Sequence, residues 1–143
     1  MSHVATVDLH IADLDCLAKA AKRIGMELRL GQTTYRWYGE HVGDYPLPQG
    51  FAVEDMGKCE HAITSPDKDV YEIGLVRRRD GRPGFQMLWD FIDDRLVKLV
   101  GAECCKLKQA YAAEVSIKSA RMQGYGVREE LRADGSLRIT MSK

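Results

Sequence analysis

The sequence lacks an excess of charge of either sign. Lysine plus arginine number 21, aspartate plus glutamate also number 21, and the formal net charge at pH 7 is +0. A neutral chain has no global electrostatic field that would gather nucleic acid, an anionic membrane or an acidic substrate. Any such partner must therefore be held by a local patch of charge.

Long apolar segments are also missing. No run approaches the ~18 to 20 residues that span a bilayer, and the opening MSHVATVDLH has no basic stretch followed by an apolar one. We therefore expect a soluble, cytoplasmic protein with no membrane partner.

Cysteine is scarce, with only Cys16, Cys59, Cys104 and Cys105 in the chain. Without a secretion signal these four are expected to be reduced thiols. The spacing of Cys59 and His61 alternates along a strand, so we expect the two side chains to share a strand face. Structural zinc usually takes paired, closely spaced ligands on turns. We therefore predict no metal and no cofactor, and a zinc site from Cys59, His61 and a later cysteine stays the less favoured alternative.

Recognised catalytic motifs are absent as well. The sequence contains no GxxxxGK[ST], no GxGxxG after a strand, no HExxH and no GxSxG. The four histidines do not stand near a nucleophile in any of these patterns. No catalytic residue is assigned, and a cysteine- or metal-dependent enzyme is kept only as an alternative.

Alternating and helical patterns open the chain. Val4 to Ile11 alternate with the period of a half-buried strand. Asp13 can cap a following helix and Gly25 suits its end. A second strand follows, with Met26, Leu28 and Leu30 predicted to point inward.

Turn signals and periodicity continue this pattern to the C-terminus. Cys59 to Thr64, Val70 to Val76 and Phe85 to Leu88 favour an antiparallel meander joined by SPDKD and by the Asp80-Gly81 turn. A helical region interrupted near Gly101 follows from about Asp90 to Gln123, and its second part has a predicted apolar stripe. The members of this stripe are Leu107, Tyr111, Val115 and Met122. At the C-terminus, Val127 to Leu131, a turn at Asp134-Gly135 and the alternating Leu137, Ile139 and Met141 predict a hairpin.

The order of these elements predicts an α+β fold. We expect one domain over residues 1–143, with a mostly antiparallel sheet and helices on one face, related to the ferredoxin-like arrangement. The first helix and the long helix from Cys104 to Gln123 should pack on the same face. Because helix, glycine and strand recur, two half-repeats are an open interpretation.

The stretch RWYGEHVGDYPLPQGF is the centre of a loop insertion at about 32–56. Loops this long are usually functional or disordered, and this one is too aromatic for disorder. Its aromatics either cover an open side of the sheet or form a binding surface. The predicted binding residues of this loop are Arg36, Trp37, Tyr38, His41 and Tyr45.

Four arginines surround one turn. Arg77, Arg78, Arg79 and Arg82 could fork onto phosphate groups, or form a solvated turn neutralised by Asp80 and other acids. We count them with the loop residues as predicted binding residues. We further expect Trp37 to pack inward while Tyr38, His41 and Tyr45 face outward beside Arg77 to Arg79.

Several short motifs resemble the Ycf35 family, also called the domain of unknown function 1257. They span both ends and the middle of the chain, and they are the opening MSH, Ile11, Asp13, Leu14 and Leu17, Tyr71 to Leu75 (YEIGL), Trp89-Asp90, QAYA at 109–112, Gly124-Tyr125, and DGSLRI at 134–139. The aromatic insertion and KCEHAI look more like phage and bacterial members than like the shorter plastid pattern. The family has no settled activity, so the resemblance supports only the fold and the compartment, which would be the host cytoplasm for a phage protein.

Together these features favour a non-enzymatic binding or adaptor module that docks on a protein partner, such as an ATPase or another machine. Self-association into a homo-oligomer through exposed sheet edges is kept open. The main alternative is a nucleotide- or nucleic-acid-binding protein that uses the arginine turn and the aromatic loop.

Overall fold

A computed structural model describes residues 3–143, so the first two residues of the MSH motif lie outside the described part. The strands are β1 (Val4–Ile11), β2 (Glu27–Leu30), β3 (His61–Thr64), β4 (Ile73–Arg77), β5 (Phe85–Asp90), β6 (Gly126–Leu131) and β7 (Leu137–Ser142). The α-helices are α1 (Leu14–Arg23), α2 (Asp94–Val100) and α3 (Cys105–Met122). Short 3-10 turns occur at Val53–Asp55 and Ala102–Cys104. Within this part of the chain, no helix has the length and apolar character needed to cross a bilayer.

The main sheet has five strands in the order β1-β5-β4-β3-β2, and every neighbouring pair is antiparallel. β1 and β2 are therefore its edges. β6 and β7 form a separate two-stranded sheet. In the first helix–strand unit, α1 is followed by β2, which belongs to the main sheet. In the second, α3 is followed by β6, which does not. The predicted α+β class with an antiparallel sheet is confirmed.

The helices cover one face of the main sheet, as predicted. α1 and α3 pack against each other, and Leu17 and Leu107 belong to the same buried cluster as Ile63, Leu75 and Met87 of the sheet. The Tyr111 hydroxyl on α3 accepts hydrogen bonds from the backbone N–H groups of Ala12 and Asp13, at 3.1 and 3.2 Å. These bonds fix the start of α1 against α3.

The insert, which we define as residues 32–56, covers the opposite face. Tyr35, Phe51 and Met56 are buried there in a second cluster with Val76 and Leu88 of the sheet, which we call the insert-side cluster. Trp37 packs against the same cluster from its edge. Much of the aromatic content of the insert therefore serves to keep this sheet face from water.

Local sequence signals mark the helix ends. The Asp13 side chain accepts a hydrogen bond from the Cys16 N–H at 3.0 Å, as an N-cap should. Gly25 follows α1 with a φ of 77°, a left-handed conformation that glycine adopts without steric cost. The predicted cap at Asp13 and the predicted helix end at Gly25 are both confirmed, because capping depends on residues close in sequence.

Two predicted burial patterns are wrong. Leu30 is 66% exposed rather than inward, because it is the last residue of β2, an edge strand. On α3, Val115 and Met122 are 40% and 80% exposed. Repeated steps of four residues drift around a helix of 3.6 residues per turn, and the buried row instead passes through Ala110 and Ile117. Helix α3 also begins at Cys105, one residue later than predicted.

Candidate functional site

The arginine turn contacts the insert through Arg79. Its Nη1 lies 3.1 Å from the carbonyl oxygen of Gly50 and 3.2 Å from Oδ2 of Asp55. Its guanidinium also lies over the ring of Phe51, 4.3 Å from the ring centroid. The insert and the arginine turn are therefore close to each other, as predicted. The contact is made by Gly50, Phe51 and Asp55 rather than by the predicted tyrosines.

Arg77 and Arg78 also have carboxylate neighbours. Arg77 Nε lies 3.3 Å from Oε1 of Glu60, and Arg78 Nε donates to Oδ1 of Asp80 at 3.1 Å. The Arg78 guanidinium holds the pKa of Asp80 well below its usual range. The backbone N–H of Arg82 donates to the same carboxylate. Much of the positive charge of the turn is thus compensated within the protein.

Tyr38 and Tyr45 lie at the other end of β5. The Tyr38 N–H donates to Oδ2 of Asp90 at 3.0 Å, and the Tyr45 ring lies 5.1 Å from the ring of His3 and 5.2 Å from that of Phe91. Arg77, by contrast, lies on β4 directly opposite Phe85, which begins β5 at its other end. The structure therefore does not bring these tyrosines beside the arginine turn. His41, half-buried, stands between the two tyrosines in the chain.

Arg36 belongs to an internal polar network. The buried carboxylate of Glu72 accepts from the Arg36 backbone N–H at 2.8 Å, and the Arg36 side chain donates to the Val70 carbonyl at 2.9 Å. Gln32 Nε2 lies 3.3 Å from the same carboxylate. These bonds attach the insert to the segment before β4, so Arg36 has a structural role here.

Asp90 is a buried anchor that the sequence did not reveal. Its side chain is 0% exposed and accepts backbone N–H bonds from His3 at 2.9 Å, Tyr38 at 3.0 Å and Ile92 at 3.3 Å. The donors come from three separate segments. The Trp-Asp pair was visible in the sequence only as part of the family resemblance.

Cys59 and His61 do not share a strand face, contrary to the prediction. β3 begins at His61, and Cys59 lies before it, packed against the insert-side cluster. The His61 ring instead lies 5.4 Å from the ring of Phe85. Cys59 Sγ donates to the Gln32 carbonyl, and His61 Nδ1 accepts from the Gly31 N–H at 2.9 Å. Across residues 3–143, no three His, Cys, Asp or Glu side chains are grouped as a metal site.

Residues 3–143 form several open clefts, and three of them have volumes of about 600 to 640 Å³. The aromatic cleft, about 640 Å³, is bounded by β1, Tyr45, Trp89 and the segment that joins α2 to α3. The helix groove, also about 640 Å³, lies between α1 and α3. The arginine cleft, about 600 Å³, lies between β1 and Arg78–Arg79. The edge strand β1 thus contributes to two of the three.

The C-terminal hairpin, β6 and β7, has one apolar and one polar face. Directly opposed residues lie on the same side of the ribbon, and the register pairs Val127 with Met141, Glu129 with Ile139, and Leu131 with Leu137. The alternate pairs are polar, as in Glu130 with Arg138. No hairpin residue belongs to either buried cluster.

One ion-pair network connects the hairpin to the helices. Arg23, at the end of α1, donates to Glu114 on α3 at 2.7 Å and to Glu129 on β6 at 2.5 Å. Glu114 is only 9% exposed. The arginine therefore both neutralises a largely buried carboxylate and orients the hairpin.

Comparison with protein-family models, with curated proteins and with solved structures finds no match for this chain. The resemblance to the Ycf35 family stays a prediction from the motifs.

Proposed function

We propose that this protein is a non-enzymatic binding module that docks on a protein partner through its C-terminal hairpin. The observation that carries the proposal is the incompletely covered apolar face of that hairpin. Leu131 is 75% exposed and Met141 is 44% exposed, while Val127, Leu137 and Ile139 on the same face are half-buried.

Energetics favour a partner for this face. A two-stranded hairpin is marginally stable in water by itself, and this one rests on α3 and on the Arg23 network. Full burial of one large aliphatic side chain contributes about 1.5 to 3 kcal/mol. A partner that covers Leu131 and Met141 would therefore stabilise both the complex and the hairpin.

A cysteine-dependent enzyme that uses Cys16, Cys59 or Cys104 has less support. Burial raises the pKa of the Cys59 thiol to about 11 and that of Cys104 to about 12, and it also raises the pKa of Cys16. A thiol that is protonated at neutral pH is a weak nucleophile, because the thiolate is the reactive form.

Nucleic-acid binding also has less support, because Arg77, Arg78 and Arg79 each have a carboxylate partner. A phosphate would have to compete with these acids. The carboxylates also lower the net positive charge that a polyanion would encounter.

Site-specific photo-crosslinking tests the docking proposal. A photoreactive amino acid at position 131, on the apolar face, should crosslink a distinct protein in host cells, whereas the same probe at Thr140, on the polar face, should not. The captured protein is then identified, purified and titrated against the wild type, Leu131→Asp and the control Thr140→Asp. Leu131→Asp should weaken binding at least tenfold with little change in stability.

Three results would overturn the proposal. These are equal crosslinking from both positions, a captured protein whose affinity is unaffected by Leu131→Asp, and a crosslink only to a second copy of this chain. The last would replace docking on a partner with self-association.

A further inference from the structure

The aromatic cleft has walls suited to a positive charge. Tyr45, Trp89 and Phe91 line it, with ring centroids 5.2 Å apart for Tyr45 and Phe91 and 5.9 Å for Trp89 and Phe91. Aromatic faces carry negative partial charge and attract ammonium and guanidinium groups. The volume of about 640 Å³ lies within the usual range for small-ligand sites.

The charged residues of the cleft also favour a cationic ligand. Asp8, Asp94 and Glu103 line it together with Lys108, so three carboxylates face one ammonium group. Among residues 3–143, none of these carboxylates has a basic side chain within ion-pair distance. In the arginine cleft, by contrast, Asp80 is already paired with Arg78.

The backbone at Glu103, one of the acidic residues of the cleft, has an unusual conformation. Glu103 has φ 53° and ψ 30°, and the next residue, Cys104, has φ 60°. A left-handed conformation is sterically unfavourable for a residue with a β-carbon, whereas glycine adopts it freely. The Glu103 side chain is exposed and lines the wall of the cleft.

The helix groove lacks this combination. Lys118 pairs there with Asp13, and Glu114 pairs with Arg23. Its lining contains no aromatic side chain. The aromatic cleft therefore has the stronger ligand chemistry of the two equally large clefts.

We propose that the aromatic cleft binds an organic cation, an ammonium or guanidinium group on an apolar stem. Tyr45 and Phe91 contact the stem and the face of the cation beside Trp89, which is only 6% exposed, and Asp8, Asp94 and Glu103 compensate its charge. The cation is either a lysine or arginine side chain of another protein or a free polyamine. The proposal does not depend on docking through the C-terminal hairpin, which is a separate surface.

Nuclear magnetic resonance titration of the full chain tests the site with three probes. Spermidine and N-acetyl-arginine amide carry the cation, whereas N-acetyl-citrulline amide has nearly the same shape without charge. The indole N–H signal of Trp89 should shift saturably with the two cations and not with citrulline. The indole of Trp37, on the opposite sheet face beside Gly57, is an internal control that should not move.

Variants then locate the binding. Glu103→Gln should weaken the binding of both cations about threefold to fivefold, and Tyr45→Ala should weaken it about fivefold to tenfold. The matched control is Asp15→Asn, which removes an exposed carboxylate from the helix groove and should change nothing. Glu103→Gln keeps the size of an exposed side chain, so it tests the site even if Tyr45→Ala unfolds.

The relative affinities identify the source of the cation. Tighter binding of spermidine indicates a free polyamine, and equal or tighter binding of the arginine amide indicates a protein side chain. The proposal fails if neither cation gives a saturable shift, if citrulline binds as well as arginine, or if Glu103→Gln binds like the wild type.

Discussion

The ring of Tyr35 lies so close to the backbone of Gly74 that a β-carbon at position 74 would be 2.3 Å from Tyr35 Cδ1. Tyr35 belongs to the insert and Gly74 to β4, and both are buried. The absence of a side chain at position 74 leaves room for the tyrosine ring against β4, so this contact positions the insert on its face of the sheet.

Gly74→Ala should therefore destabilise the protein. The added methyl group has to displace a buried ring, and overpacking of this kind costs about 1 to 3 kcal/mol. Urea denaturation followed by circular dichroism measures the loss. Gly126→Ala is the matched control, since it also lies in a strand and its β-carbon would meet its nearest neighbour at 3.4 Å. Equal effects of the two substitutions would contradict the close packing of Tyr35.

Arg23→Met should lower the free energy of unfolding by about 2 to 3 kcal/mol, because it leaves the largely buried carboxylate of Glu114 without its partner. The comparable change Arg29→Met removes an exposed pair with Glu27, at 3.4 Å, and should cost at most about 0.5 kcal/mol. Hydrogen exchange should also show faster opening of β6 in Arg23→Met. A similar loss in both variants would rule out a special role for Arg23.

Stability should fall as the pH rises from about 9 to about 12. Burial raises the pKa of Cys104 from 9.0 to about 12 and that of Tyr35 from 10.0 to about 12, although the backbone of Gly57 opposes the latter shift. Unfolded chains release these protons first. The native state then binds more protons than the unfolded state, which makes the slope of stability against pH negative.

Urea midpoints at a series of alkaline pH values measure this slope. Cys104→Ala should make it shallower, while lowering stability at every pH because it leaves a cavity. The exposed neighbour provides the control, as Cys105→Ala should retain the wild-type slope. An unchanged slope in Cys104→Ala would assign the alkaline loss to other groups.

Glu103→Gly should stabilise the fold by about 1 kcal/mol, because glycine adopts the observed left-handed conformation without steric cost. Glu103→Ala keeps the β-carbon and should not give this gain. Thermal unfolding of the two variants in parallel separates backbone strain from loss of the carboxylate. If alanine stabilises as much as glycine, the strain at position 103 is not the cause.

The C-terminal hairpin shows how much local patterning predicts. Asp134-Gly135 supports a tight turn, and Leu137, Ile139 and Met141 alternate, so the hairpin was predicted and is present. Its separation from the main sheet was not predicted. Strand alternation tells which residues share a face, but it does not tell which sheet edge the strand will join.

The predicted binding residues show the corresponding limit. The sequence places Tyr38, Tyr45 and the arginines of one turn only by their order along the chain. Whether they meet depends on how the insert crosses the sheet, and it crosses so that Phe51 and Asp55, rather than the tyrosines, contact Arg79. The aromatic cleft was missed because its walls come from β1, the insert and the α2–α3 segment.

Caps and turns were determined by the sequence alone, since the forces behind them act between residues a few positions apart. Asp13 caps α1 and Gly25 ends it through such local contacts. Tertiary structure alone decided that Asp90 accepts backbone bonds from His3 and Tyr38, that Arg23 joins two helices to the hairpin, and that Tyr35 covers Gly74. These contacts join residues remote in sequence, and the burial that gives them their energy arises only once the layers have packed together.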